Sequence, residues 1–314
     1  MTEQFVVGID IGGTNTVIGL VDKYARVLDK TCLKTQHYQT VDAYVDELCV
    51  CILNIIKNVG GEQIKGIGIG APNGNFHTGA IEHAPNLRWK GLVPLAKLLE
   101  ERLHLPVLLT NDANAAALGE MVYGAAVNVK DFIFITLGTG LGSGLVVDGK
   151  LVYGHDGFAG ELGHVILFPD GRLCGCGNRG CLETYCSALG IMQTYFEFAQ
   201  KHNIALPENK ESLEAKYVYD RAIAGDLAAL QAFEFTGELL GLALANSVKY
   251  TSPEVIFLFG GLSSAGDLLF APMQKSFEKY LLPLHRGKIK LLKSALEEGK
   301  VAILGAASLI WQMK

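Results

Sequence analysis

Apolar residues recur along this chain with two periods, and the points where the period changes divide it into strands and helices. Nearly continuous apolar runs at Phe5–Asp10, Thr16–Val21 and Val27–Leu33 predict three strands, the first two joined across Gly12 and Gly13. Two glycines let the backbone turn sharply and approach a ligand where a Cβ would collide. From Val41 to Val59 the apolar positions follow helical spacing, and Ile64–Ile69 returns to a strand that ends in the loop Ala71-Pro72-Asn73-Gly74. A helix between such strands implies a crossover, hence mixed pairing in one sheet. A helix over Leu92–Leu103 leads to a strand at Val107–Thr110, and Asn111-Asp112-Ala113-Asn114 lies past its end, with a helix beginning near Ala113.

The same phrase starts again after Asp131. A strand over Phe132–Leu137, the turn Gly138-Thr139-Gly140 and a strand over Gly142–Val147 repeat the opening hairpin with its Gly/Thr tip. That recurrence predicts two related halves facing a shared cleft. Ala188 to Tyr250 reads as mainly helical, with a long apolar stretch from Leu227 to Val248. Val255–Phe259 is a short apolar strand ending in Gly260-Gly261, where close approach to a ligand is again open, and Lys300–Gln312 is a buried or amphipathic helix placed to pack back on the first half. The division expected is an N-terminal α/β domain over 1–112, completed by the helix at about 300–314, and a second α/β domain over 113–299.

Composition agrees with two cores. A chain of 314 residues, 49% hydrophobic and 19% charged, has a globular balance at a length where one core stops being efficient. The formal charge is −5 and no basic run forms a phosphate-backbone footprint, which argues against nucleic acid as a partner. The first ten residues lack a secretory pattern, and by its sequence pattern no segment is expected to approach the roughly 20 apolar residues of a membrane span. The expectation is a soluble, cytoplasmic protein without a membrane partner. An odd number of cysteines, 7, argues against a disulfide framework in that setting. Cys32, Cys49 and Cys51 are scattered and read as core-filling thiols, whereas Cys174, Cys176, Cys181 and Cys186 lie close together.

Several groups carry candidate chemistry. Asp10-Ile11-Gly12-Gly13-Thr14 follows an apolar strand and offers what nucleotide phosphates need: glycine backbone, a hydroxyl, and a carboxylate able to hold Mg²⁺ through water. An ordinary Gly-Gly hairpin has the same spelling, but Thr136-Leu137-Gly138-Thr139-Gly140 supplies a second such tip. No G-x-x-x-x-G-K-[ST] pattern occurs, and the G-x-G-x-x-G spelling at Gly175, Gly177 and Gly180 lies among cysteines rather than at a strand-to-helix turn, so neither a P-loop nor a Rossmann site is expected. His164, Cys174, Cys176 and Cys181 offer one nitrogen and three sulfurs with glycines between them, a donor set that suits a closed, structural Cys₃His zinc site; a metal-free cysteine cluster is the alternative, and Cys186 is a competing ligand. Glu161 and Glu183 flank that knot, and carboxylates accept hydrogen bonds from the hydroxyls of a polyol. Asp112 reads equally as a helix N-cap and as a general base, and Asn111 and Asn114 read equally as caps and as hydroxyl binders.

With these residues in hand, the sequence resembles the ROK family of sugar kinases and related repressors, within the actin-like and hexokinase-like ATPase superfamily. The resemblance spans nearly the whole chain and is strongest where Gly160-Glu161-Leu162-Gly163-His164 is followed by Cys174-Gly175-Cys176-Gly177-Asn178-Arg179-Gly180-Cys181-Leu182-Glu183. It implies an α/β fold of two actin-like (ribonuclease H-like) domains with mixed sheets flanked by helices, closing on substrate, and a homodimer. It implies Asp112 as catalytic base, Asn111, Glu161, His164 and Glu183 around a sugar, Asn73 and Gly74 in a loop near that sugar, Gly12–Thr14 and Gly138–Gly140 at the phosphates of ATP, and Gly260 and Gly261 near the adenosine. Repressor members carry a helix-turn-helix ahead of the first glycine loop, for which nine residues before Asp10 are too few. The expected activity is ATP-dependent phosphorylation of a hexose, glucose first. N-acetylglucosamine, N-acetylmannosamine, fructose and allose are the alternatives, and a non-catalytic sugar sensor is the reading from another class. Two positions depart from the family pattern: Asn15, where many members have Lys, and Pro72-Asn73-Gly74, where Pro-Gly is usual.

Overall fold

Strand β1 (Phe5–Ile11) shows how the chain uses its alternation. Phe5, Val7, Ile9 and Ile11 enter one apolar cluster, while Val6, from the opposite face, enters a second, as the period of two in a strand requires. The computed structural model describes residues 3–57, 59, 63–207, 213–297 and 299–313. After β1 come β2 (Thr16–Asp22) and β3 (Val27–Leu33), then α1 (Val41–Ile56), β4 (Ile64–Ala71), and three short strands, β5 (Gly74–Asn75), β6 (Ala80–Glu82) and β7 (Leu92–Val93). Helix α2 (Leu95–Leu103), β8 (Val107–Asn111) and α3 (Asp112–Tyr123) follow, then β9 (Phe132–Leu137), β10 (Leu141–Val147) and β11 (Lys150–Leu151). The rest comprises α4 (Glu183–Cys186), α5 (Ala188–Lys201), α6 (Ala215–Ile223), α7 (Leu227–Thr251), β12 (Val255–Phe259), α8 (Asp267–Tyr280), β13 (Lys290–Lys293) and α9 (Val301–Trp311).

The first five-stranded sheet has the order β3-β2-β1-β4-β8. β1 pairs antiparallel with β2 and parallel with β4, with Asp10 opposite Val17 on one side and Gly70 on the other. Helix α1, capped by the Thr40 hydroxyl accepting from the Ala43 amide, covers one face with α2. Helix α9 covers the other, and there the strands present glycine. A Cβ on Gly8 would lie 2.2 Å from the Ile303 carbonyl oxygen, and one on Gly68 would lie 1.9 Å from that of Ala306, so the helix backbone rests directly on the sheet. The helix expected to reach Val59 ends at Ile56, and that expected from Leu92 starts only at Leu95, after Pro94 and the short strand β7, since proline favours the very start of a helix.

The second five-stranded sheet has the order β11-β10-β9-β12-β13, with β12 parallel to both β9 and β13. In the same unit the long apolar helix α7 is packed along α8 and α5. By length and composition α7 could cross a membrane, which corrects the expectation that no segment approaches a span. Yet 61% of its apolar window is buried inside the protein, in the manner of a core helix.

The chain forms two compact units. The first holds residues 1–129, 144–160 and 295–314, and the second holds 130–143 and 161–294, the chain passing from one to the other within β10. The division therefore does not fall after residue 112. Helix α3 groups with the first unit because it crosses α9 where two glycines meet, a Cβ on Gly119 lying 3.0 Å from the Gly305 Cα. The segment after β11 joins that unit as well: the Asn75 amide donates to the Asp156 carbonyl (2.7 Å), His77 Nε2 lies 3.0 Å from the Gly154 carbonyl, and the Phe76 and Tyr153 rings stack at 4.2 Å.

Candidate active site

In the first unit, β1 delivers Asp10 and then the glycine tip. The Gly12 amide donates to the Asn15 carbonyl at 2.9 Å, closing the turn. Gly13 lies against the Asn86 backbone, where an added Cβ would meet the carbonyl oxygen at 2.6 Å. Thr14 is exposed, and Asn15 holds a buried side-chain oxygen with no protein partner. Beneath the tip, the Thr16 hydroxyl sits 2.8 Å from both Thr35 Oγ1 and the Tyr44 hydroxyl. Tyr44 in turn packs on Trp89 at 4.4 Å between ring centres. Such a network fixes the loop's root.

Asp112 opens α3, and its neighbour does the capping: Asn111 Oδ1 accepts from the amides of Ala113 (2.8 Å) and Asn114 (3.4 Å), whereas Asp112 Oδ1 shares only the Ala113 amide. The Asp112 carboxylate reaches solvent, yet the protein massed around it raises its pKa above the ordinary carboxylate range, against the lowering effect of its backbone hydrogen bonds. Burial first, and then the charge of Asp112, push Asp10 up to about 6. The two carboxylates thus feel each other across the end of the sheet, an arrangement that a proton or a divalent cation relieves.

The remaining predicted residues of this unit have structural work. Asn73 takes a left-handed conformation (φ 49°) and its side-chain amide donates to the Glu82 carbonyl at 3.0 Å. Gly74 is buried, its missing Cβ replaced by the Thr110 carbonyl. Asn114 is 3% exposed, with its side-chain oxygen unpaired. Asn75 and Asn86 were not foreseen. Nothing local marks Asn75 as the link to Asp156, 81 positions away.

In the second unit the tip Gly138-Thr139-Gly140 is exposed and closed by the Gly138 amide donating to the Gly140 carbonyl at 3.1 Å. The Thr136 hydroxyl accepts from the Gly142 amide at 3.1 Å and so braces the turn. Gly260, at φ 102°, packs on the Leu137 backbone, where a Cβ would lie 2.5 Å from the carbonyl oxygen; Gly261 beside it faces open space. The two glycine segments are therefore neighbours on one surface.

Glu183, at the start of α4, links this tip to the cysteine knot: its Oε2 accepts from the Leu141 amide at 3.4 Å, and its Oε1 lies 3.0 Å from Cys174 Sγ and 3.7 Å from His164 Nδ1. Glu161 Oε2 lies 3.9 Å from His164 Nε2. The donor atoms of His164, Cys174, Cys176 and Cys181 all fall within 4.8 Å of one another. Cys176 and Cys181 Sγ are 3.7 Å apart and Cys174 Sγ is 3.6 Å from His164 Nδ1. Those two separations match edges, about 3.6 to 3.8 Å, of a tetrahedron with Zn–S near 2.3 Å and Zn–N near 2.0–2.1 Å. The donor set fits a closed zinc site with no open position. Cys186 stands outside it, fully buried and donating to the Thr236 carbonyl.

The sequence profile of the ROK family matches residues 6–313. The glucokinase of Halalkalibacterium halodurans is 39% identical over 294 residues, covering 90% of this chain and 88% of the relative, and that of Thermotoga maritima is 35% identical over 315 residues, covering 99% and 98%. Among solved structures, a ROK family glucokinase from Streptomyces griseus in complex with glucose and AMPPNP superposes with a TM-score of 0.81 at 33% identity, covering 98% of this chain and 100% of the other.

Proposed function

The chain belongs to the ROK family, and from that premise we propose that it transfers the γ-phosphoryl group of ATP to glucose, giving glucose 6-phosphate and ADP. The observation that carries the reading is Asp112: a solvent-reaching carboxylate at the first turn of α3, with its proton affinity raised by its surroundings, as a general base requires. In this reading Asp112 accepts the proton of the sugar's primary hydroxyl as its oxygen bonds to the γ-phosphorus and the bond to the β–γ bridging oxygen breaks. Glu161, His164 and Glu183 accept or donate hydrogen bonds to the other hydroxyls, and Asn111 orients Asp112 by capping the same helix. The loops Gly12–Thr14 and Gly138–Gly140 contact phosphate oxygens, the Gly12 and Gly138 amides closing the two turns, and Gly260 with Gly261 leaves room for the adenosine.

Mg²⁺, when bound, neutralises phosphate charge; Asp10 is the residue placed to hold it through water. His164, Cys174, Cys176 and Cys181 would hold zinc, which supplies rigidity rather than chemistry. Asn73 and Gly74 shape the loop near the sugar, through the contacts described above. The reading extends to a homodimer, for which the mass in solution should be twice the 33.8 kDa of the chain by light scattering.

The test is an ADP-release assay with ATP and Mg²⁺ across hexoses and N-acetylhexosamines, comparing kcat/KM. Highest kcat/KM for glucose is the expected result. Preference for an N-acetylated sugar, or binding without turnover on any sugar, would overturn it.

A further inference from the structure

Arg172 lies in the second unit, two positions before Cys174, where the sequence reads as an exposed loop. Its side chain is only 9% exposed. A buried guanidinium must find a partner for its charge and for each N–H, or it destabilises the fold. Here all five N–H donors are engaged. Nε and Nη2 form a fork on Glu197 (3.1 and 2.7 Å), Nη1 donates to the Thr184 and Gly190 carbonyls (2.6 and 3.1 Å), and Nη2 also donates to the Thr194 hydroxyl (2.9 Å). The guanidinium lies over Tyr185, its Cζ 4.4 Å from the ring centre, and that tyrosine's hydroxyl accepts from the Arg172 amide at 3.0 Å. The Arg172 carbonyl accepts from the Gly180 amide at 2.8 Å.

These bonds converge on one geometric task. Through its own chain Arg172 leads to Cys174, through Gly180 it fixes the residue before Cys181, and through Thr184 it fixes the residue after Glu183. Glu197 and Thr194 anchor the assembly to α5. The spacing between the Glu183 carboxylate and the Cys/His knot is therefore set from behind by one planar cation. Lysine cannot do this, because a single ammonium on a flexible stem lacks the fork.

We propose that Arg172 is the positioning residue of the sugar-side cluster: it does not touch substrate but holds Glu183 in register with His164 and Cys174. This rests on the reading of Glu183 and His164 as sugar-binding residues. The experiment measures kcat, KM for glucose, KM for ATP and zinc per chain in Arg172→Lys, Glu183→Gln and the double variant, with Arg172→Ala as the severe case. Arg172→Lys should stay folded and retain zinc, raise the glucose KM by about tenfold, as a small misplacement of a binding group does, and leave the ATP KM unchanged. In the Glu183→Gln background the same change should have little further effect, because both act through one carboxylate. A folded, zinc-loaded Arg172→Lys with wild-type glucose KM overturns the proposal, as does full additivity with Glu183→Gln. If Glu183→Gln alone leaves the glucose KM untouched, the sugar-site reading itself fails, and the proposal falls with it. Should Arg172→Ala not fold, the lysine variant still decides.

Discussion

The two glycine tips have nearly the same spelling, but they are supported in different ways. In the first unit the tip is held by backbone and by buried hydroxyls: Gly13 presses on the Asn86 main chain, and Thr16, Thr35 and Tyr44 close the space below. In the second unit a charged side chain adds to the main-chain closure between Gly138 and Gly140. Glu183 approaches Gly140 and the Leu141 amide, and is itself tied to a knot of cysteines and, through the carbonyl of the next residue, Thr184, to Arg172. A scaffold of main chain and uncharged buried hydroxyls is rigid and indifferent to metal or charge. A side-chain scaffold can be loosened from a distance, so the second unit should respond to zinc loss and to remote charge changes while the first should not.

The largest expected effect lies in the first unit and is chemical. Asp112→Asn should lower kcat by roughly 10²- to 10⁴-fold, the usual loss for a general base, while glucose binding measured by calorimetry stays close to wild type, since Asn111 and not Asp112 caps α3. Near-normal turnover would remove Asp112 from the role and leave the first unit as a phosphate cradle only.

Cys176→Ser breaks the comparison from the other side. Removing one of four ligands should release zinc, detected by elemental analysis, and lower the melting temperature. The glucose KM should rise more than kcat falls, because the knot holds binding groups and not the base. Purified wild-type protein free of zinc would end this account.

How far these contrasts could be read in the sequence depends on range. Strands β1–β4, the two glycine tips and the four donors of the knot were legible because their signals are local: alternation, Gly-Gly pairs, and ligands within a short span. The meander β5–β7 and strand β13 were not, since strands as short as Gly74–Asn75 have no alternation to see. Helix α3 was assigned to the second domain because its partner, α9, lies near the other end of the chain, and a Gly119–Gly305 crossing leaves no mark at either position. Arg172 was overlooked for the related reason that a charged residue in a glycine-rich loop usually faces water. Five acceptors from two helices, α4 and α5, make it a core residue here, and they converge only in three dimensions.

A smaller effect distinguishes charge from scaffold within the first unit. Asp10 has its folded-state pKa raised to about 6 from an ordinary 3.8, so the folded chain binds the proton more tightly than the unfolded one. Its contribution to stability is full below about pH 4 and is lost as pH rises to about 6, amounting to roughly 3 kcal/mol at most. Asp10→Asn should remove that slope, so denaturation midpoints of the variant and the parent should diverge between pH 4 and 6 and run parallel above. A difference that is constant across the whole range would mean that Asp10 titrates normally.

The most delicate test sets the tips directly against each other. Gly13→Ala places a methyl 2.6 Å from a main-chain oxygen, whereas Gly140→Ala places one 2.8 Å from Glu183 Oε2, the far end of a side chain. The first cannot be relieved without moving the segment that carries Asn86 and Trp89, and should destabilise by about 1–3 kcal/mol. The second is relieved by rotating Glu183, and should change stability by well under 1 kcal/mol while raising the glucose KM, since the displaced carboxylate is the one assigned to sugar. Chemical denaturation and sugar kinetics on the same two proteins separate the cases. If Gly140→Ala lost as much stability as Gly13→Ala and left the glucose KM unchanged, the side-chain support of the second tip would be as rigid as the main-chain support of the first, and the contrast between the units would disappear.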